Sequence, residues 1–208
     1  MVEIRKYFIT PVITILVGFL TALISSRFLG NWAFVILAIM YYICITYFVM
    51  RDQKFDLKKA YACPKLKVWT VLVAIFTGFL PLFVFITNIE LLSHQYMILW
   101  LVFAIVNPFF EETFWRGYVI QGLETSPIVA VLLSTVLFTL SHPLMWGVFS
   151  YTLREPAMIA SLLVMGSLWG VIYIKTKNLW LCVLSHMLVD LFNMNIFSFL
   201  DMIELGIG

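Results

Sequence analysis

The chain has 208 residues, 63% of them hydrophobic and 12% charged, with a formal net charge of +2 and a mean hydropathy of +1.03. Soluble domains carry about a quarter charged residues. A surface this apolar is incompatible with water, so an ordinary soluble domain is excluded and lipid is the expected solvent. The seven Trp, nine Tyr and nineteen Phe suit helix contacts and membrane interfaces. Cys44, Cys63 and Cys182 lie far apart without paired spacing, so neither a disulfide framework nor a zinc site is indicated. Membrane lipids are expected partners and nucleic acid is not.

Uncharged runs of about twenty residues, the length of a span, set the architecture. The first follows Arg5 and Lys6, covers 7–26 and lacks a clear small-residue cleavage site, so it reads as a helix that stays. The second covers 28–50, with room for a turn at 27–31. A polar segment at 51–67 holds six basic residues, and a third apolar run covers 68–89. The fourth begins near Tyr96, meets Glu111 and Glu112 without a turn signal and stays helix-like to Leu123. Glu124, Thr125, Ser126 and Pro127 make the first clear break, where a hydroxyl can cap and a proline can start the next helix. Further spans are predicted at 127–146, 156–174 and 178–200. The expected fold is all-α, a polytopic membrane bundle of about seven transmembrane helices, or eight, forming a single transmembrane domain over 1–208. Eleven basic residues, Arg116 included, fall on the side of the N-terminus against Arg27 and Arg154 on the other. The N-terminus is therefore expected in the cytoplasm and the chain in the cell membrane, as a multi-pass protein.

A charged side chain at mid-bilayer costs about 2.5–3.5 kcal/mol on the insertion scale. Glu111, Glu112, Arg116 and Asp190 all stand in apolar surroundings, a gross cost on the order of 10 kcal/mol. Together with His142 and His186 they must face inward and pair. Glu112 and Arg116 are four apart and share a face, which predicts an ion pair; Glu111 points about 100° away and has no counter-charge on its own helix. His186 and Asp190 are also four apart, with Asn193 one turn on. Measured from the break at 124–127, Glu111 and His142 lie roughly 20 Å deep, and, from a seventh helix starting on the same side near Asn178, His186 and Asp190 lie roughly 12 and 18 Å in. Three segments distant in sequence thus carry polar groups to similar depths. The structural alternatives are a helix-locking bridge for Glu112–Arg116, a packed core residue for His142 and an interhelical hydrogen-bond unit for His186–Asp190. Trp146, Trp169 and Trp180 read as interface anchors or packing, and the lysines at 54, 58, 59, 65 and 67 as a topogenic loop.

Glu111, Glu112 and Arg116 fill an E-E-x-x-x-R pattern, Phe138 and His142 an F-x-x-x-H pattern, and His186 and Asp190 an H-x-x-x-N/D pattern. In this order they resemble the three motifs of the type II CAAX prenyl endopeptidases and their bacterial relatives, the CAAX protease and bacteriocin-processing (CPBP) family. The likeness covers about residues 95–195, the expected catalytic core, and leaves the first three helices out. It implies an intramembrane protease of the glutamate type, with catalytic residues Glu111, Glu112, Arg116, His142, His186 and Asp190. Glu111 would be the general base, His142 would orient the water, His186 would polarise the scissile carbonyl, and Glu112 with Arg116 would support them. The third motif often ends in Asn, an amide donor, whereas ionised Asp190 only accepts; its expected role is to hold His186 protonated.

The expected activity is hydrolysis of a peptide bond in a hydrophobic or lipidated peptide, with no cofactor and no metal. A metal-dependent alternative, with His142, His186 and Glu111 as ligands, is disfavoured because H-E-x-x-H is absent and these residues come from separate helices. A different class of function is a non-catalytic bacteriocin self-immunity or membrane assembly factor. Substrate identity and oligomeric state are not encoded in any motif found.

Overall fold

The computed structural model describes residues 2–62, 67–92 and 94–203, with side chains from Lys6 onward. Helix α1 (Val2–Leu29) and helix α2 (Ala33–Met50) are joined by one 3-10 turn, Gly30–Trp32. Gly30 takes φ +55 there, a conformation open to a residue without Cβ. The pair runs antiparallel: the Tyr7 hydroxyl donates to Asp52 Oδ2 at 2.7 Å near the open end, and Thr14 Oγ1 lies 3.6 Å from Cys44 Sγ nearer the turn. The basic segment contains a single helical turn, α3 (Leu57–Ala60), capped by the Asp56 side chain, which accepts the Lys59 N–H.

The run expected as one helix over 68–89 is two, α4 (Val68–Phe79) and α5 (Leu82–Thr87), divided at Pro81, which has no N–H to continue the ladder. Helix α6 (His94–Glu112) passes without a break into a π-helix, Thr113–Ile120. Helix α7 (Pro127–Met145) starts as its sequence predicts, with the Ser126 side chain accepting the Val129 N–H and Pro127 in the first turn. Helices α8 (Pro156–Thr176), α9 (Trp180–Phe192) and α10 (Asn195–Phe199) complete the bundle.

One span over 178–200 is corrected by this arrangement. Helix α9 ends at Phe192, Met194 takes φ +51, and α10 sets off afresh. Irregular backbone at membrane depth is tolerated where it lines a cavity and its polar groups are bonded. Here the Asn193 carbonyl accepts from Ser198 Oγ at 3.0 Å.

Among the described residues, five stretches are long and apolar enough to cross a membrane: Lys6–Met50, Val68–Thr87, His94–Ile120, Pro127–Val148 and Pro156–Thr176. The first, 45 residues long, is the folded-back pair α1–α2. Helix α9, at 13 residues, is shorter than a span. The count of seven or eight is not confirmed by these five; the all-helical class and the repeated apolar stretches are. Large apolar side chains face outward along the bundle, Phe28, Val68, Phe83, Ile98 and Ile128 among them, each at least 70% exposed. Lipid is the natural covering for such a face.

The connections sort to two ends. At the lysine-rich end, Lys54 pairs with Glu124 at 3.7 Å, Trp180 Nε1 donates to the Tyr61 carbonyl at 2.9 Å, and the Asn178 amide donates to the Ala62 carbonyl. At the other end Asp201 accepts from the Asn31 amide, the Ser150 and Thr152 hydroxyls and the backbone N–H groups of Tyr151 and Thr152, all at 2.8–3.0 Å. Between them Trp115, Phe138, Trp146 and Trp169 fill a core from which solvent is excluded.

Candidate active site

The site begins where α6 widens. In the stretch Thr113–Ile120 the backbone ladder runs i→i+5, a rare geometry that concentrates at functional positions, and every residue of it is buried. Ser134 of α7 donates to the Trp115 carbonyl at 2.6 Å, bonding an acceptor within the widened turn. Glu112 and Arg116 still meet as the spacing predicts, Nη1 to Oε1 at 3.2 Å. The guanidinium is enclosed by the rings of Phe138 (4.4 Å to its centroid) and Trp169 (5.1 Å), and its Nη2 donates to the Gly166 carbonyl at 3.5 Å.

His186 of α9 sits astride the two glutamates. Its Nδ1–H donates to Glu112 Oε1 at 2.8 Å, while Nε2 faces Glu111 Oε2 at 3.6 Å and Asp190 Oδ1 at 3.4 Å. Trp169 stacks on the ring, centroids 4.3 Å apart and planes 21° from parallel. The imidazole therefore has one edge on the Glu112–Arg116 pair and the other on a second pair of carboxylates.

His142 reaches the same place from α7. Its Nδ1 lies 2.9 Å from the Phe138 carbonyl. A carbonyl only accepts, so Nδ1 carries the hydrogen and Nε2 keeps its lone pair. Glu111, His142, His186 and Asp190 line one cavity of about 40 Å³, room for a few water molecules.

The family model for type II CAAX prenyl endopeptidases, Rce1-like, matches residues 93–192, the stretch that holds all of these side chains. Residues 93–192 are similar to that family. The matched residues are just under half of the chain, and the repeated apolar stretches are those of a multi-pass membrane protein. No curated protein and no solved structure matches the chain.

Within residues 93–192 the six residues singled out by sequence divide into two sets. Glu111, His142, His186 and Asp190 border the cavity, whereas Glu112 and Arg116 stand behind His186 and hold it. Glu111 has a neutral hydrogen-bond partner on its own helix, though no counter-charge there. Asn107, one turn earlier on α6, donates to Glu111 Oε2 at 3.3 Å and to Asp190 Oδ2 at 3.1 Å, and the Tyr42 hydroxyl donates to Asn107 Oδ1 at 3.1 Å. Nor are the two glutamates directed to separate partners, because the imidazole lies between them.

Asn107 had a readable signal, a polar residue four before Glu111 in an apolar span. Tyr42 and Trp169 had none, since their places depend on how α2 and α8 pack. Trp146 and Trp169 are core residues, 2% and 1% exposed, while Trp180 is partly exposed at the lysine-rich end. Among the described residues, no three His, Cys, Asp or Glu side chains are gathered in metal-holding geometry.

Proposed function

We propose that this chain is an intramembrane endopeptidase that hydrolyses a peptide bond of a hydrophobic or lipidated, membrane-associated peptide with water activated by Glu111. The observation that carries this reading is one small cavity, inside an apolar bundle, onto which a carboxylate and two imidazoles from three helices converge. The similarity of residues 93–192 to a protease family supports it.

In this mechanism the Glu111 carboxylate takes a proton from water as the water oxygen bonds to the scissile carbonyl carbon. His142 Nε2, with its lone pair inward, orients that water. Asp190 keeps a hydrogen on His186 Nε2, which donates to the oxyanion as negative charge grows there. Such donors act strongly where water is excluded. Glu111 then returns the proton to the amide nitrogen, the C–N bond breaks, and a carboxylate and an amine leave. Glu112, fixed by Arg116, anchors the far edge of the imidazole and so sets the donor's direction. Asn107 turns Glu111 and Asp190 toward the cavity.

The test compares peptides released by cells carrying the wild-type chain with those carrying Glu111→Gln or His142→Ala. Loss of a general base lowers turnover by about 10²–10⁴-fold, so specific products should vanish from both variants. If both express normally and retain full biological activity, catalysis is not the function, and a non-catalytic immunity or assembly role stands instead. Activity abolished by a chelator and restored by a divalent metal would replace the glutamate mechanism.

A further inference from the structure

Beyond the ionisable cluster the cavity runs toward one end of the bundle only. There its wall is Leu153, Met158, Asn193, Asn195 and Ser198. Toward the lysine-rich side the cavity wall is Phe138, Trp169 and His186, and Trp115, Arg116 and Tyr118, none more than 1% exposed, are not part of it. Two buried polar atoms at this mouth have no hydrogen-bond partner, Asn193 Oδ1 and Asn195 Nδ2. The orientation of Asn195, 3% exposed, is fixed: its Oδ1 accepts the Ile196 N–H at 2.7 Å, which leaves Nδ2 as the donor.

An unpartnered buried donor or acceptor costs about 1–3 kcal/mol, and folded proteins leave few of them. One of each, two residues apart on a cavity wall, is the complement of an extended backbone, which offers a C=O and an N–H. A helical backbone offers neither, because its groups bond one another.

We infer that Asn193 and Asn195 form a backbone-binding subsite, and that the substrate is a peptide segment in extended form admitted from the α10 end. Asn195 Nδ2 donates to a substrate carbonyl, Asn193 Oδ1 accepts a substrate N–H, and Leu153 and Met158 take apolar side chains. The inference rests on the endopeptidase reading for its role in turnover, but the binding it describes does not require catalysis.

The experiment uses the full chain in lipid nanodiscs with fluorescent hydrophobic decapeptides and analogues in which one amide at a time is replaced by an ester, which removes a single N–H. Binding is read by anisotropy on the Glu111→Gln protein, and cleavage on the wild type. One ester analogue should bind about tenfold more weakly than its parent. Asn193→Leu should weaken the parent about tenfold and no longer distinguish that analogue. Asn195→Asp keeps the acceptor for Ile196 and the volume, so it should raise KM about tenfold with kcat within twofold. Equal binding of every ester analogue to the Glu111→Gln protein overturns the subsite, as do wild-type affinities in both variants. Thermal unfolding identifies a variant that has failed to fold, and the analogue series on unaltered Asn193 and Asn195 then decides alone. Discrimination among analogues without any cleavage would preserve the subsite and remove the endopeptidase reading.

Discussion

Arg116 and Glu112 carry opposite charges with 1% and no exposure, and neither can be lost alone without leaving the other uncompensated. Removing one partner of a buried pair costs about 3–5 kcal/mol. Arg116→Met should therefore lower thermal stability by that order in detergent and deplete the folded protein in membranes; a variant as stable as wild type would show that Glu112 is balanced by His186 alone. Asp190 makes a finer prediction. Asp190→Asn keeps the shape but not the charge beside His186 Nε2, so the pH–rate profile should move while part of the activity survives. An unchanged profile, or a folded but inactive protein, would contradict its assigned role. The ionisable residues of the site were legible because each is expensive in lipid and stands out against an apolar run. Asn107 was legible in principle, lying one turn before Glu111. The direction of the Glu111 side chain was not, because helical spacing gives an angle on one helix and the imidazole arrives from another.

Helices α7 and α8 approach closely where glycine permits it. A Cβ at Gly170 would lie 2.7 Å from Val131 Cγ1, and one at Gly166 would crowd Thr135, Phe138 and the Arg116 guanidinium. Gly170→Leu forces the helices apart, and overpacking of this kind costs about 1–3 kcal/mol. The expected result is a lower unfolding temperature with the wild-type helical content retained; unchanged stability would mean the contact yields freely. Element boundaries set by local chemistry were readable in advance, as at Ser126 and Pro127. Those set by tertiary demand were not. The widening over Thr113–Ile120 and the stop at Phe192 have no local sequence signal comparable with the division at Pro81. Both occur where the backbone must bring a side chain to the cavity rather than continue across the membrane.

Across the whole molecule, Lys54, Lys58, Lys59, Lys67, Lys175 and Lys177 share one end with Lys6, while Arg27 and Arg154 belong to the other. Positive charge is retained in the cytoplasm, so single cysteines placed at Asn31 and Lys58 in a cysteine-free chain should react with an impermeant reagent from outside and inside respectively; the reverse pattern would invert the proposed orientation. The α10 end is held by Asp201. Burial alone would raise its carboxyl, but the Thr152 and Tyr151 N–H groups and the Ser150 and Thr152 hydroxyls outweigh it and hold the carboxyl below its ordinary 3.8. A depressed folded-state value means that this stabilisation is complete above about pH 4 and fades as pH falls through the lowered value. Asp201→Asn should therefore reduce stability at neutral pH and narrow the difference from wild type in acid. A constant gap across pH would assign the effect to shape instead of charge.

That aspartate joins Asn31, made early in synthesis, to Ser150 and Thr152 and to a segment made some fifty residues later. Until residue 201 has been made, Asn31, Ser150 and Thr152 lack the carboxylate that ties them together, so the two early helices and the later connection cannot be fastened to each other while the hydrophobic stretches between them are still being threaded into lipid.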